Sequence, residues 1–578
     1  MKRIALFALI AAPWLAAVAD DQLTKEIVVD KEIVPVEQNA TKIGQTPEIT
    51  TIEQPATEVN YSDRAVVTPT GNTIPTMLPY GYRTDRAFEG NRGYLDLCMG
   101  NWMSIVGSAG YRIVDKPNTR FGVWAQHNSI WGEKTGPGHV GQIKSSESWL
   151  GFDLRHLIGR KALNAAVTGR FGRESFIALQ NDATPFNNVY ELDAVAQYGD
   201  RIARNGINWW VGAGYNHFTN RLNKPWDNYN RLTENYFRAT GGLSFDWNEG
   251  TRVGLDATGE LLHQAYPHLH FEPVTIEGSD YSKLVPDGTR VTDNRWQLRL
   301  NPYFTRTLDN LLLRVGARID LSFSDGTVFR IAPDFRLDLR ADDRIGLFVT
   351  ATGGKVMNRN AVIYNTDCHM TPYTPLASTY TPIDATIGAK FGPFSGFRAN
   401  VYVGYAVTRN SLMPQSINPL FEELATVNLQ TPINLHGLYL GGELSYSFRD
   451  IATLRAGAQW AKQDGRQGYA GFGFDRPEYI INAGLNVRPL SGLSLDVAFN
   501  FRGNRAIHNV SYDANGNEVF TLEKLENAPY LEFGADYQLN KMLGFFLKLN
   551  NLLFKEWRLN QYYYACRFHF YVGATLKF

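Results

Sequence analysis

The densest set of side chains able to hold a metal ion is His263, His268 and His270, in the stretch HQAYPHLHF. Imidazole nitrogens are frequent ligands for zinc and copper, so this trio is the first place to look for chemistry. It falls at the end of one extended segment and the start of the longest predicted loop, where exposed histidines ordinarily bind nothing. The cysteines Cys98, Cys368 and Cys566 are odd in number and widely spaced, without the pairing of a disulfide framework or the spacing of a metal site. They read as packing or loop residues. No Gly-x-Ser-x-Gly elbow, His-Glu-x-x-His pair or phosphate-binding loop occurs. The sequence therefore predicts no enzyme, no metal site and no cofactor.

Charge is the other chemical resource. Lys and Arg total 57 and Asp and Glu total 57, a balance that gives no basic field for nucleic acid. Two stretches nevertheless concentrate charge at alternate positions. LLLRVGARIDLSF carries Arg314, Arg318 and Asp320, and FRIAPDFRLDLR carries Arg330, Asp334, Arg336, Asp338 and Arg340. Rings of charge facing a lumen can set the selectivity of a pore. Alternatively, charges of both signs on adjacent strands pair and stiffen a wall, the reading favoured here.

Those alternate positions define the elements that carry them. In FRIAPDFRLDLR the intervening Phe329, Ile331, Phe335, Leu337 and Leu339 are apolar, and LSLDVAFNFR sets Leu493, Leu495, Val497, Phe499 and Phe501 against Ser494, Asp496, Ala498, Asn500 and Arg502. Side chains two apart share a face of a strand, so each segment has an oily face and a wet one. Such segments are about twice as long as an ordinary strand of about 5 or 6 residues. They recur from Gly93 to Phe578 with no helical pattern between them to cover the oily faces. No stretch of the chain after its leader has the run of about 18 apolar residues needed for a membrane helix. A closed antiparallel barrel in lipid satisfies all of this, because its backbone groups are paired around the ring.

About 22 such strands can be counted. Tight joints fall after even-numbered strands, among them Lys116-Pro117-Asn118, Gly159-Arg160, Asp309-Asn310, Asp342-Asp343, Ser395-Gly396 and Ser491-Gly492. Long connections fall after odd-numbered ones: Trp131–Ile143, Leu222–Arg231, Tyr266–Asn294, Asn358–Thr381, Asn410–Leu435, Asp464–Glu478 and His508–Asn527. Short turns on the periplasmic rim and long loops outside are the habit of outer-membrane barrels.

The front of the chain reads differently. MKR, the apolar IALFALIAAPWLA and Ala17-Val18-Ala19 before Asp20-Asp21 make residues 1–19 a secretory signal. Residues 20–92 are extended and rich in Pro, Thr, Val and Glu, as in IVPVEQNATKIGQTPEITTIEQPATEV, with little from which to build a core. They are expected to form a periplasmic arm, and residues 93–578 the transmembrane barrel of an all-β protein.

Several stretches resemble those of TonB-dependent receptors. Asn551-Leu552-Leu553-Phe554-Lys555-Glu556-Trp557, in the penultimate extended segment FFLKLNNLLFKEW, is similar to the Asn-Leu-Phe-Asp-Lys-x-Tyr run that precedes their last strand. The ending GATLKF resembles their final strand. GYLDLCMGNWMSIVGSAGYR and RFGVWAQHNSIWG resemble the first hairpins of receptor-like barrels of Bacteroidota type. The resemblance covers Gly93 to Phe578 and implies the 22-strand size class. It stops upstream, where residues 20–92 are too short and too polar for the folded plug of that family. Glu26-Ile27-Val28-Val29 resembles the extended box by which such receptors engage TonB. Tyr571, Leu576 and Phe578 resemble the terminal signal read by the barrel-assembly machinery through strand addition.

The resulting expectation is an integral protein of a Gram-negative outer membrane, mediating uptake or passage of a solute. A barrel scaffold of an assembly, export or surface-lipoprotein complex is the alternative. Outer-membrane lipid and the assembly machinery are expected partners, TonB or a surface lipoprotein are candidates, and nucleic acid is not. An unobstructed lumen of this girth would breach the membrane. The arm, an inward-folded long loop or a partner must narrow it.

Overall fold

Accessibility along a strand reports the solvent on each of its faces. Along β12 (Phe329–Asp342), Phe329 and Ile331 are 53% and 52% exposed, whereas Ala332 and Asp334 are 3% and 8% exposed. Along β19 (Leu493–Gly503), Val497 is exposed while Asp496, Ala498, Asn500 and Arg502 are buried. Apolar side chains outside and polar ones within invert the order of a soluble core, as a lipid surround requires.

The computed structural model describes residues 91–578, apart from 135–141, 176–185, 201–205, 223–230, 249, 277–278, 370–375, 418–426, 450, 466–475, 513–517 and 560–562. The expected leader (1–19), nearly all of the expected arm (20–92) and the Glu26–Val29 box lie outside the described residues.

Among the described residues are 24 strands, numbered in chain order from β1 (Gly93–Gly100) to β24 (His569–Lys577), and one short helix, α1 (Asn360–Thr366). Each wall strand pairs antiparallel with the next. The ring closes where β1 meets β24, from Tyr94 opposite Lys577 to Gly100 opposite Tyr571. Gly93 and Phe578 extend that seam by exchanging backbone hydrogen bonds of 2.6 and 3.0 Å. The approach is close: a Cβ on Gly100 would lie 2.0 Å from the Phe570 carbonyl oxygen. β19 pairs with β22 (Ala528–Gln538), which leaves β20 (Arg505–Tyr512) and β21 (Glu518–Leu525) as a hairpin outside the wall. The wall therefore has 22 strands. No described helix is long and apolar enough to cross a membrane.

The two rims differ as the joints predict. Turns at 117–118, 159–160, 309–310, 343–344, 395–396 and 491–492 have two residues each. In one of them Ser395 and Gly396 have φ of +52° and +89°, the pair of positive values that a type I′ hairpin turn demands. On the other rim, connections such as 357–378 and 551–568 are long.

Three expectations need correction. Tyr266–Asn294 is mostly strand: β9 (Thr251–Ile276) and β10 (Ser279–Leu308) continue their pairing almost to the tip, past a shift between Pro286 and Arg290. β15 (Phe397–Ile417) and β16 (Val427–Phe448) likewise carry ladder into Asn410–Leu435. Lipid-driven alternation ends at the membrane surface, but backbone pairing does not. Finally, FFLKLNNLLFKEW is not one strand. β23 (Leu543–Asn550) stops at Asn551, whose φ is +52° and whose side-chain amide donates to the carbonyls of Lys555 and Cys566. Asparagine tolerates that conformation and turns the chain out of the wall.

Candidate functional site

A long connection of a barrel can lie over the rim or fold inward, and its buried polar contacts tell which. β13 (Ile345–Val356) and β14 (Thr379–Phe394) are neighbours, yet the segment between them, 357–378, touches strands far around the ring. Its centre is α1. Helix-starting amides lack partners within the helix, and the residue before α1, Arg359, makes no side-chain cap of its own. The acceptor comes from the wall instead. Glu234 of β8 (Arg231–Asn248), fully buried, accepts from the Asn360 amide at 2.7 Å and the Ala361 amide at 3.4 Å. Gln264 of β9 donates to the same carboxylate at 2.7 Å. The Arg359 guanidinium lies 4.0 Å from the centre of the Tyr236 ring, also on β8.

One turn further on, Tyr364 packs against Phe218 of β7 (Gly206–Leu222) and beneath the Arg170 guanidinium of β5 (Lys161–Ser175). Arg170 is buried. It is paired with Glu147 of β4 (Gln142–Ile158) and with Glu191 of β6 (Phe186–Asp200), stacks on Trp149, and donates to Asn365. Buried charges are tolerated only when paired in this way. Val189, Phe218, Leu232, Tyr266, Ala361, Tyr364 and Leu376 form the apolar cluster under the helix.

The segment then returns. His369 stacks on Tyr563, from the connection before β24, with ring centroids 3.5 Å apart. Leu376 accepts from Arg295 of β10, and Ser378 donates its amide to Asp325 at 2.9 Å. Asp325 lies in the 323–328 turn between β11 (Leu311–Ser322) and β12. Burial raises its carboxyl, but the Ser378 hydrogen bonds, Lys355 and Arg295 together outweigh burial and hold it below the ordinary aspartate value. The described parts of the segment, 357–369 and 376–378, are thus rooted at β13 and β14 and docked on inward-facing side chains of β5 to β9.

Of the charges singled out in the sequence, Asp320 lies beside the segment's root, and the others run along the wall toward the opposite rim. Asp320 pairs with Arg299 at 2.8 Å and accepts from Gln297 and the Lys355 amide. Asp334 pairs with Arg314 at 2.9 Å and accepts from Asn301. Arg336 pairs with Asp338 at 2.5 Å, and Lys390 approaches the same carboxylate at 3.8 Å. Arg318 donates to the Gly353 carbonyl, and Arg330 stands over Tyr380. Arg340 is exposed near the short turn at 343–344. Arg314, Asp320 and Asp334 thus pair across adjacent strands, Arg318, Arg330 and Asp338 meet partners two strands away, and Arg336 pairs with Asp338 within β12.

The histidine trio lies on β9, where His263 meets the Asn294 side chain at 2.6 Å. Three donor types that sequence reading passed over do converge: Glu174 of β5 with Cys368 and His369 of the lumenal segment. The adjacency of Cys368 and His369 inside a predicted long loop was the available signal; nothing local pointed to Glu174. At the seam, Tyr571 is buried against Cys98 and Phe546, Leu576 is partly exposed, and Phe578 is exposed and stacks on Tyr111.

Comparison with solved structures places this architecture. The ferripyoverdine receptor of Pseudomonas aeruginosa, bound to ferripyoverdine, is 13% identical with a TM-score of 0.60, over 84% of this chain and 72% of that one. The siderophore receptor PirA from Acinetobacter baumannii is 11% identical with a TM-score of 0.64, over 84% and 80%. The copper transporter OprC is 10% identical with a TM-score of 0.62, over 85% and 80%. No family model and no curated protein matches the chain. The fold is that of the barrels of the TonB-dependent outer-membrane receptors.

Proposed function

We propose that this barrel mediates the passage of a polar solute across the outer membrane, with segment 357–378 as the constriction in its lumen. The observation that carries the reading is the way that segment is built in. A barrel serving only as a scaffold needs no helix across its bore, capped by a buried wall carboxylate and tied to a buried Glu–Arg–Glu cluster. The surroundings are wet in character. The side-chain amides of Asn187, Asn220 and Asn360, on β6, β7 and α1, are buried without a protein hydrogen-bond partner, and such groups take up water or the hydroxyls and amides of a solute. The neighbours in fold are receptors and transporters, which supports uptake as the direction.

In this reading the arm at residues 20–92 is a tether or partial stopper rather than a full plug, and the Glu26–Val29 box engages TonB. Charges such as Arg318 and Asp320, at the segment's root, bias which solutes pass. The test is liposome swelling with the full chain, with a form lacking residues 20–92, and with a form lacking 358–377. Swelling by small polar solutes that rises on removal of either element is expected. No swelling in any form, together with stoichiometric co-purifying proteins, would replace the transport reading with a scaffold.

A further inference from the structure

Glu174, Cys368 and His369 each present one ligating atom, and these atoms lie within 4.8 Å of one another. Glu174 and His369 are buried, and Cys368 packs against the apolar cluster under α1. The thiol sulfur is 3.7 Å from His369 Nδ1 and 3.9 Å from Nε2. A tetrahedral zinc ion, with its bonds of about 2.3 Å to sulfur and about 2.0–2.1 Å to nitrogen, sets those two ligands about 3.6 Å apart. The separation found is already near that value. A shift of about 1 Å, within the freedom of a glutamate side chain, brings the carboxylate to the matching distance. The imidazole is held by its stack on Tyr563, and the His369 amide donates to Asp367.

We propose that these three side chains bind a borderline divalent transition-metal ion of the zinc class, clasping the lumenal segment to the β5 wall. Calcium and magnesium are poorly served, because both prefer all-oxygen cages. A mixed sulfur, nitrogen and oxygen set suits zinc, with the fourth position open to water. On binding, the Cys368 thiol gives up its proton to solvent and the sulfur becomes a thiolate ligand. The clasp lies across the bore from the segment's roots at β13 and β14. An ion bound there acts only on the docked arrangement, because Glu174 belongs to the wall and the other two ligands to the segment. At a free metal concentration of about a hundred times the dissociation constant, the docked population gains about a hundredfold over the undocked one. The inference concerns metal binding and stands whether or not the barrel transports.

The full chain in detergent, reduced and stripped by chelator, is titrated with zinc chloride alone and, separately, with cobalt chloride as a spectroscopic probe. One equivalent of saturable zinc binding is expected, with a thiolate-to-cobalt charge-transfer band in the cobalt form. Cys368→Ser removes the band, and Cys368→Ser and Glu174→Gln each weaken binding by at least about tenfold, while Cys98→Ser, at the seam, leaves both readouts unchanged. Heat-modifiable electrophoretic migration checks that each variant is folded. A second measurement needs no variant: zinc must slow alkylation of Cys368 in the folded wild-type protein. Absence of saturable binding, wild-type affinity in folded Cys368→Ser or Glu174→Gln, or equal alkylation rates with and without zinc would overturn the proposal.

Discussion

Replacing Glu234 by alanine removes the acceptor on which the lumenal helix starts. The buried carboxylate takes hydrogen bonds of 2.7 Å from both the Asn360 amide and Gln264, and a longer one of 3.4 Å from the Ala361 amide. The Gln264 bond lies within the wall and is lost from both states, so only the two amide bonds hold the helix; the short one, to a charged acceptor, contributes about 1.5–3 kcal/mol and the long one less. Water admitted to the gap recovers part of the loss, so about 2 kcal/mol is the working figure, a shift of about thirtyfold between docked and undocked segment. Cys368 supplies the reporter, since undocking exposes its thiol. In a Cys98→Ser, Cys566→Ser background, with chelator present, Glu234→Ala is expected to speed maleimide labelling of Cys368 by about thirtyfold. Glu234→Gln, which keeps one acceptor oxygen, should fall between. Labelling within about twofold of the parent, in a variant that still migrates as a folded barrel, would refute the claim that this carboxylate holds the helix.

Asp325 gives a pH prediction. Its folded-state pKa is depressed, so its contribution to anchoring Ser378 is present above the ordinary carboxylate value of about 4 and is lost as pH falls through the lower folded value. Wild-type channels should become noisier on acidification below about pH 4, and Asp325→Asn channels should be noisy already at pH 7. Sidedness is tested on β5: Val167→Arg, on the exposed apolar face, should cost about 2–4 kcal/mol in denaturant unfolding from vesicles, whereas Asn164→Arg on the opposite face should be nearly neutral. Deleting Phe578 removes its paired backbone bonds with Gly93 and its stack on Tyr111. The heat-modifiable fraction recovered from membranes should drop, and an unchanged fraction would show that the seam does not depend on that residue.

What could be read in advance follows from where the physics is local. Within the membrane each strand answers to lipid outside and water inside, so period two runs openly through stretches such as Phe329 to Leu339. The turns are equally local, because Ser395-Gly396 satisfies its own geometry. Beyond the membrane that pressure ends. β9 and β10 pair on through Tyr266–Asn294 with no alternation to mark them, and the stretch looks like a loop. The helix at Asn360–Thr366 is too short to show a periodic face, and its cap resides on β8. The convergence of Glu174 with Cys368 and His369 is invisible for the same reason: Glu174 lies on β5 and the other two in a segment rooted at β13 and β14, and only the fold of that segment brings them together.

Whether segment 357–378 obstructs a path through the barrel is read from single-channel conductance in planar bilayers, comparing the full chain with a 358–377 deletion, each with and without residues 20–92. Deleting the segment is expected to raise conductance severalfold in at least the form lacking the arm. Equal conductance with and without the segment in both backgrounds, or silence in all four forms, would contradict it.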